Sequence, residues 1–332
     1  MLDKKKIKID GFKFASAVLS LFVIGFVLTC LFGRKYPMLW SMSLLSCVMG
    51  MQHAFDVDHI SAIDNITRKL INERKDPNGT GFFFSLGHSL VVLLMTMLLV
   101  TFMDQIRKVW PNLKLIGGLI GSSFAGCILV LLALINMFIM RNVWKNYKNS
   151  QIGISDDSYK NSFIYRLFMK MLNWIDKDWQ IVLVGFLFGL GFDTASQIGI
   201  LAVSAMTAST GVPAFAILAF PILFMAGMCL WDTIDGFLMS SAYQWIFTDS
   251  KRKVFYNLTL TGLSVFAALF SSFVNLINAG QLYFKWNNTF VNWIGSLDFF
   301  KLGVILICLF VVVWSTLIIT WRHTSTSKIS KD

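Results

Sequence analysis

The sequence predicts an all-α polytopic membrane protein, with eight transmembrane helices and both termini in the cytoplasm. Three observations predict it. Of the 332 residues, 56% are hydrophobic and only 14% charged, with a mean hydropathy of +0.65, whereas a soluble domain is about a quarter charged. The apolar residues fall into runs of about 20, the length a helix needs to cross the hydrocarbon core. Finally, Lys and Arg crowd into alternate loops.

The first run, residues 12–32, follows the basic segment "MLDKKKIKIDG". A signal peptide shares that pattern, but this apolar stretch exceeds a usual h-region and no small-x-small cleavage site follows, so it reads as a retained first helix. The other runs are 37–66, 81–103, 115–140, 180–206, 212–247, 254–280 and 299–321, the second and sixth being long and interrupted by polar residues. With the N-terminus inside, 22 of the 29 Lys and Arg residues fall in inner segments and 7 in outer ones. The positive-inside rule then supports an even number of crossings and two cytoplasmic termini.

Residues 1–332 thus read as one integral membrane domain, in which 141–179 is a cytoplasmic loop between the fourth and fifth spans. Within it, "FIYRLFMKMLNWIDKDW" reads as an amphipathic helix lying on the inner face. The net charge of +11 comes from short loops between apolar runs, which marks topology and argues against a nucleic-acid partner. No Walker A pattern is present, so no nucleotide hydrolysis by a P-loop is expected. The five cysteines are scattered without a CxxC pair, which argues against a disulfide framework or a thiolate zinc site. "GFFFSLG" (Gly81–Gly87) and "GFLFGLG" (Gly185–Gly191) open the third and fifth spans with similar sequences. Transporters often carry such repeats, but Phe/Gly-rich helices resemble one another cheaply, and both origins stay open.

Polar residues inside the spans carry the functional signal. Asp56, Asp58 and Asp64 lie in the second span, Asp193 in the fifth, and Asp232 and Asp235 in the sixth; His53, His59 and His88 join them. Six unpartnered aspartates at mid-membrane cost about 15–20 kcal/mol on insertion scales, more than a domain's net stability. They are expected to face a shared interior and to find partners there. No Lys or Arg is expected at their level, which leaves protons or a bound cation to neutralise them. Three of the chain's four histidines stand in this set, and imidazole favours a transition metal over magnesium or calcium. The fourth, His323, follows the last span and reads as solvated.

Helix geometry constrains the second span. His53, Asp56 and His59 fall within an arc of about 120°, while Asp58 lies about 140° from His53. Either Asp58 orients an imidazole rather than binding the ion, or the helix unwinds around 55–58. Asp232 and Asp235, at i and i+3, share a face. Met49, Met51 and Met228 read as packing residues.

At these residues the chain resembles the nickel/cobalt transporter (NiCoT) family. "HAFDVDHI" (His53–Ile60) is similar to its second-span signature, "LGHSLVV" to its third-span motif, "LGFDTAS" to its fifth and "GMCLWDTID" to its sixth. Gln52, Val57 and Gln197 depart from residues usual in that family (Arg or Lys, Ala, and Glu), and Phe55 stands where Val and Phe alternate. The resemblance implies an ATP-independent permease of the cell membrane for high-affinity uptake of Ni²⁺, with Co²⁺ as a further substrate. It carries no cofactor, has no enzymatic activity, and needs no nucleotide-hydrolysing subunit; its partners are the dication and the bilayer. His53, Asp58, His59 and His88 are the expected metal ligands. Asp56, Asp64, Asn65, Ser89, Asp193, Thr194, Gln197, Asp232 and Asp235 are the expected path and supporting residues. Two rival readings are efflux by a related fold and a membrane-embedded metalloenzyme. The 141–179 loop lacks the histidine-rich character of exporters, and no HExxH motif is present.

Overall fold

Lipid leaves a spanning chain few choices, since every backbone polar group must be satisfied within the segment. The structure, a computed structural model, describes residues 4–148, 175, 177–191, 212–246 and 250–329, and all regular structure among them is helical. In chain order these helices are α1 (Lys4–Gly33), α2 (Met38–His53), α3 (Val57–Asn72), α4 (Thr80–Thr101), α5 (Met103–Lys148) and α6 (Asp178–Gly189). They continue with α7 (Ala214–Ile217), α8 (Ala219–Ile246), α9 (Ser250–Phe284), α10 (Thr289–Gly295) and α11 (Phe299–Ile329). Among the described residues, six segments are long and apolar enough to cross a membrane: α1, α4, α5, α7 with α8, α9 and α11. The chain is a multi-pass membrane protein.

The expected second span, 37–66, is two 16-residue helices separated at Ala54–Asp56. Asp56 takes an extended conformation (ψ 139°) as the N-cap of α3. Its carboxylate is engaged by His53, and the first turn of α3 carries Asp58, a favourable charge beside the helix N-terminus. α3 is polar, "VDHISAIDNITRKLIN", yet every residue from His59 to Leu70 is buried. It is wrapped by other helices and shows lipid little surface, so it lacks the apolar length that marks the other spans.

Residue pairs at the crossings give each helix a direction. Ser46 donates to the Phe220 carbonyl at 2.6 Å, and further along His59 meets Asp232 and Asp64 meets Tyr243, so α2–α3 and α8 are parallel. α4 runs against α8, with Gly81 beside Gly236 and Ser89 beside Met228. α1 also runs against α8, pairing Phe14 with Phe237 and Gly25 with Leu223. α5 opposes both α6 and α9, through Phe124–Phe188 and Gly121–Gly191 on one side and Gly118–Leu282 and Gly262–Met140 on the other. α11 follows α3, Phe300 lying near Phe55 and Gly303 near Ile60. One sense therefore holds α1, α4, α6 and α9, and the opposite sense holds α2–α3, α5, α8 and α11.

Small residues let three helices close on the polar interior. Gly185 of α6 sits against the Phe84 carbonyl and Gly189 against that of His88, so α4 and α6 are parallel and the two similar heptapeptides pack on each other. On its other face α4 lays Gly81 against the Asp232 carbonyl of α8. Side chains larger than hydrogen at such contacts hold backbones apart. Apolar clusters flank the interior, one joining α3, α4, α5, α6 and α9 through Ile63, Phe84, Leu132, Phe188 and Val265.

The amphipathic segment expected on the inner face lies almost wholly outside the described residues, as do Asp193, Thr194 and Gln197. One expectation is corrected: a basic side chain does reach the buried carboxylates. α3 runs past residue 66 to Asn72, and Arg68 and Lys69 are both buried at 2% exposure. Arg68 stands 3.9 Å from Asp64, and Lys69 bonds Glu73 and the Ile175 carbonyl. The guanidinium is brought in by the i,i+4 spacing on an enclosed helix.

Candidate metal centre

The break between α2 and α3 puts His53 at the end of one helix and His59 within the first turns of the next, so the two rings need not obey one helical period. α4 supplies His88 from the opposite side. The ring centroids are 4.6 Å apart for His53–His59, 4.9 Å for His53–His88 and 4.6 Å for His59–His88. One ring nitrogen from each of the three lies within 4.8 Å of the other two. Two imidazoles on one ion at about 2.1 Å stand at most about 4.2 Å apart, so closing on a metal takes a sub-ångström contraction.

Carboxylates set the tautomers of two rings. His53 Nδ1 lies 2.8 Å from Asp56 Oδ2, and His59 Nδ1 lies 3.3 Å from Asp232 Oδ2. Where the carboxylate accepts from Nδ1–H, Nε2 is left to present its lone pair. His53 Nε2 faces His88 Nε2 at 3.0 Å. His59 Nε2 and His88 Nδ1 are buried with no hydrogen-bond partner, the pattern of donors shaped for something other than protein. Imidazole with a carboxylate behind it is the usual construction of a metal-binding histidine.

Exposure changes steeply across the centre. The side chains of His53 and Asp56 are 19% and 16% exposed, while His59 and Asp232 are at 1%. The site is open on the His53 side and closed beyond His59.

The remaining expected residues divide. Asp58 is not in the converging set, and its Oδ1 accepts the His59 backbone N–H at 3.0 Å. Asp64 accepts from the Tyr243 hydroxyl. Asn65 donates to the Ser61 carbonyl at 2.7 Å and accepts from Asn136 at 2.6 Å. Ser89 is spent on the α4–α8 seam, its hydroxyl 3.5 Å from Met228 Sδ, and Met228 is buried packing. Asp235 lines an apolar cavity of about 220 Å³ beside Phe55, Trp231, Phe310 and Trp314, with Oδ2 unpartnered.

Sequence reasoning missed Arg68, Tyr243, Thr261, Ser264 and Asn136. The i,i+4 spacing of Asp64 and Arg68 was the available signal; the others meet the site only through long-range packing.

Asp232→Asn is expected to lower apparent metal affinity by about 10- to 100-fold, the usual cost of losing a carboxylate behind a ligand imidazole. The amide donates as well as accepts, so His59 loses its fixed tautomer. Equilibrium binding of Ni²⁺ to the purified protein measures this, and an unchanged affinity separates Asp232 from the centre.

Known proteins match most of the chain. The NicO family, described as high-affinity nickel-transport protein, matches residues 39–320. The chain is 37% identical to the nickel transporter NixA of Staphylococcus aureus over 324 residues, covering 96% of each chain. It is 38% identical to the nickel transporter NicT of Mycobacterium tuberculosis, over 84% of this chain and 78% of that protein. It is also 34% identical to the cobalt transport protein NhlF of Rhodococcus rhodochrous, over 68% and 67%. No solved structure matches.

Proposed function

The chain belongs to the high-affinity nickel-transport (NicO, or NiCoT) family, and on that premise we propose that it takes up Ni²⁺, with Co²⁺ as a second substrate, through the cell membrane without ATP. It is a transporter and not an enzyme. The observation that carries the reading is the convergence of His53, His59 and His88 within 4.8 Å, with carboxylates behind two of them. These imidazoles replace water around the dication. Asp56 and Asp232 hold the rings, and Asp58, Asp64 and Asp235 keep the potential negative along α3 and α8. Asp193, Thr194 and Gln197 are assigned to the same path on sequence alone. A dication moving toward a negative interior gains about 4.6 kcal/mol per 100 mV, twice the single-charge value.

Eight traversals with cytoplasmic termini belong to the same proposal. Support comes from the alternation of helix directions when α2 with α3 counts as the second crossing and α6 begins the fifth. The Lys and Arg asymmetry orients that scheme. Residues 1–332 form one transport domain, with 141–179 as its cytoplasmic loop.

The test is flux of Ni²⁺ into proteoliposomes carrying a metal-sensitive dye, under a potential negative inside. Dye response without ATP is expected, with competition by Co²⁺ stronger than by Zn²⁺ and weakest for Mn²⁺, which prefers oxygen ligands. Absence of flux, or flux that needs ATP, overturns the proposal.

A further inference from the structure

Beyond His59 a buried cation stands on α3. Arg68, nine residues further along α3 and so about 13 Å deeper, is buried at 2% exposure. Its Nη1 donates to Thr261 and its Nη2 to Tyr243 and, at 2.9 Å, to Ser264. The guanidinium lies over the Tyr243 ring, 4.1 Å from its centroid. Tyr243 in turn donates to Asp64, which Arg68 approaches to 3.9 Å. One cation thus ties α3 to α8 and α9, on the closed side of the histidines. Every α3 residue around it, Ile60 to Leu70, is buried. Asp64 Oδ2 is buried without a partner, so this carboxylate is only half used by the network that occupies it.

Arginine stays protonated at any physiological pH. A fixed positive charge beside the carboxylates repels an arriving dication, and the guanidinium and dication compete for Asp64. We propose that Arg68 is the exit-side barrier of the transport path: its guanidinium, docked on Asp64 through Tyr243, leaves before a dication passes from the histidines toward the C-terminal end of α3. When Arg68 returns, the path closes behind the ion and retains it inside. This rests on the transport reading above. Under the topology proposed there, the C-terminal end of α3 is cytoplasmic.

The experiment uses the full chain in proteoliposomes preloaded with Ni²⁺, and follows passive back-flux after the potential is collapsed. Arg68→Gln is expected to raise back-flux at least 10-fold while Ni²⁺ binding stays within about threefold of wild type. Arg68→Lys keeps the charge but not the fork, and is expected to stay within about threefold of wild-type back-flux. A purely structural arginine makes the two variants leak alike, because lysine no more than glutamine restores the bonds to Thr261, Tyr243 and Ser264 together. Tyr243→Phe removes one hydroxyl and keeps the ring, and an increase of about threefold is expected; it decides the matter if Arg68→Gln loses metal binding. Wild-type back-flux in whichever of Arg68→Gln and Tyr243→Phe still bind Ni²⁺, or equal leakage from the lysine and glutamine variants, overturns the barrier. Failure of the wild type to transport at all strikes the function proposed above instead.

Discussion

Cells expressing His59→Ala are expected to take up radioactive nickel about 100-fold or more slowly than wild type, since losing a group that merely supports a ligand already costs about 10- to 100-fold in affinity. His59 is the most enclosed of the three rings, its side chain at 1% exposure. Asp232 fixes its Nδ1, and Phe84 stands edge-on to it at 5.1 Å, so the ring has little freedom to do anything but present Nε2. Alanine leaves two imidazoles where three converge and strands the Asp232 carboxylate. His53→Ala is expected to act nearly as strongly, since His53 stands on the open side and meets the ion first. His323→Ala is expected to leave uptake unchanged, because His323 reads as solvated beyond the last span. Near-normal uptake by the His53 and His59 variants refutes the centre.

Gly81→Val is expected to lower uptake at least 10-fold and to reduce thermal stability in detergent. A Cβ at Gly81 runs into the carbonyl oxygen of Asp232 and approaches the Thr233 nitrogen, and neither can turn aside because both are helix backbone. α4 must therefore withdraw from α8, taking His88 away from the ring that Asp232 holds. Overpacking of this kind costs about 1–3 kcal/mol or more. Gly81→Ala makes the same contact with less bulk and is expected to fall between. Uptake and melting temperature together check the point: a valine variant with wild-type values for both shows that α4 and α8 can part without cost to the site.

Much of this architecture was legible in the sequence, and particular residues explain where reading stopped. α1, α4, α5, α8, α9 and α11 carry enough apolar length to declare themselves, because each turns a face to lipid. α3 does not, and the second crossing was traced only to residue 66 for the same reason: "TRKL" looks like a loop when hydropathy is the guide. Hydropathy alone therefore gives an interior without a cation, whereas Arg68 and Lys69 are among the largest fully buried side chains described. His53 and His59 stand out in the sequence because nothing in lipid packing calls for HxxxxDH, whereas His88 in an isolated "GHS" gains its meaning from the convergence of the three rings. Asp58 was the weaker member on angular grounds, and the structure turns its carboxylate to the α3 backbone. The break at Ala54–Asp56 was one of two solutions that helical periodicity allowed. The partners Tyr243, Thr261, Ser264 and Asn136 could not be read, since hydroxyls and amides are common in such helices and only tertiary contact singles them out.

The enclosure of α3 has a consequence for biogenesis. A segment holding Asp58, His59, Asp64, Arg68 and Lys69 gains nothing from lipid on its own, and insertion scales charge each Asp, Arg and Lys about 2.5–3.5 kcal/mol at mid-bilayer. α8 and α9, which supply the partners of Asp64 and Arg68, are synthesised more than 140 residues after α3 ends. The nascent chain must therefore hold this stretch at the membrane surface, or sheltered by α4 and other early helices, until the C-terminal half emerges to receive it. Assembly of the permease is in this sense completed from its far end backwards.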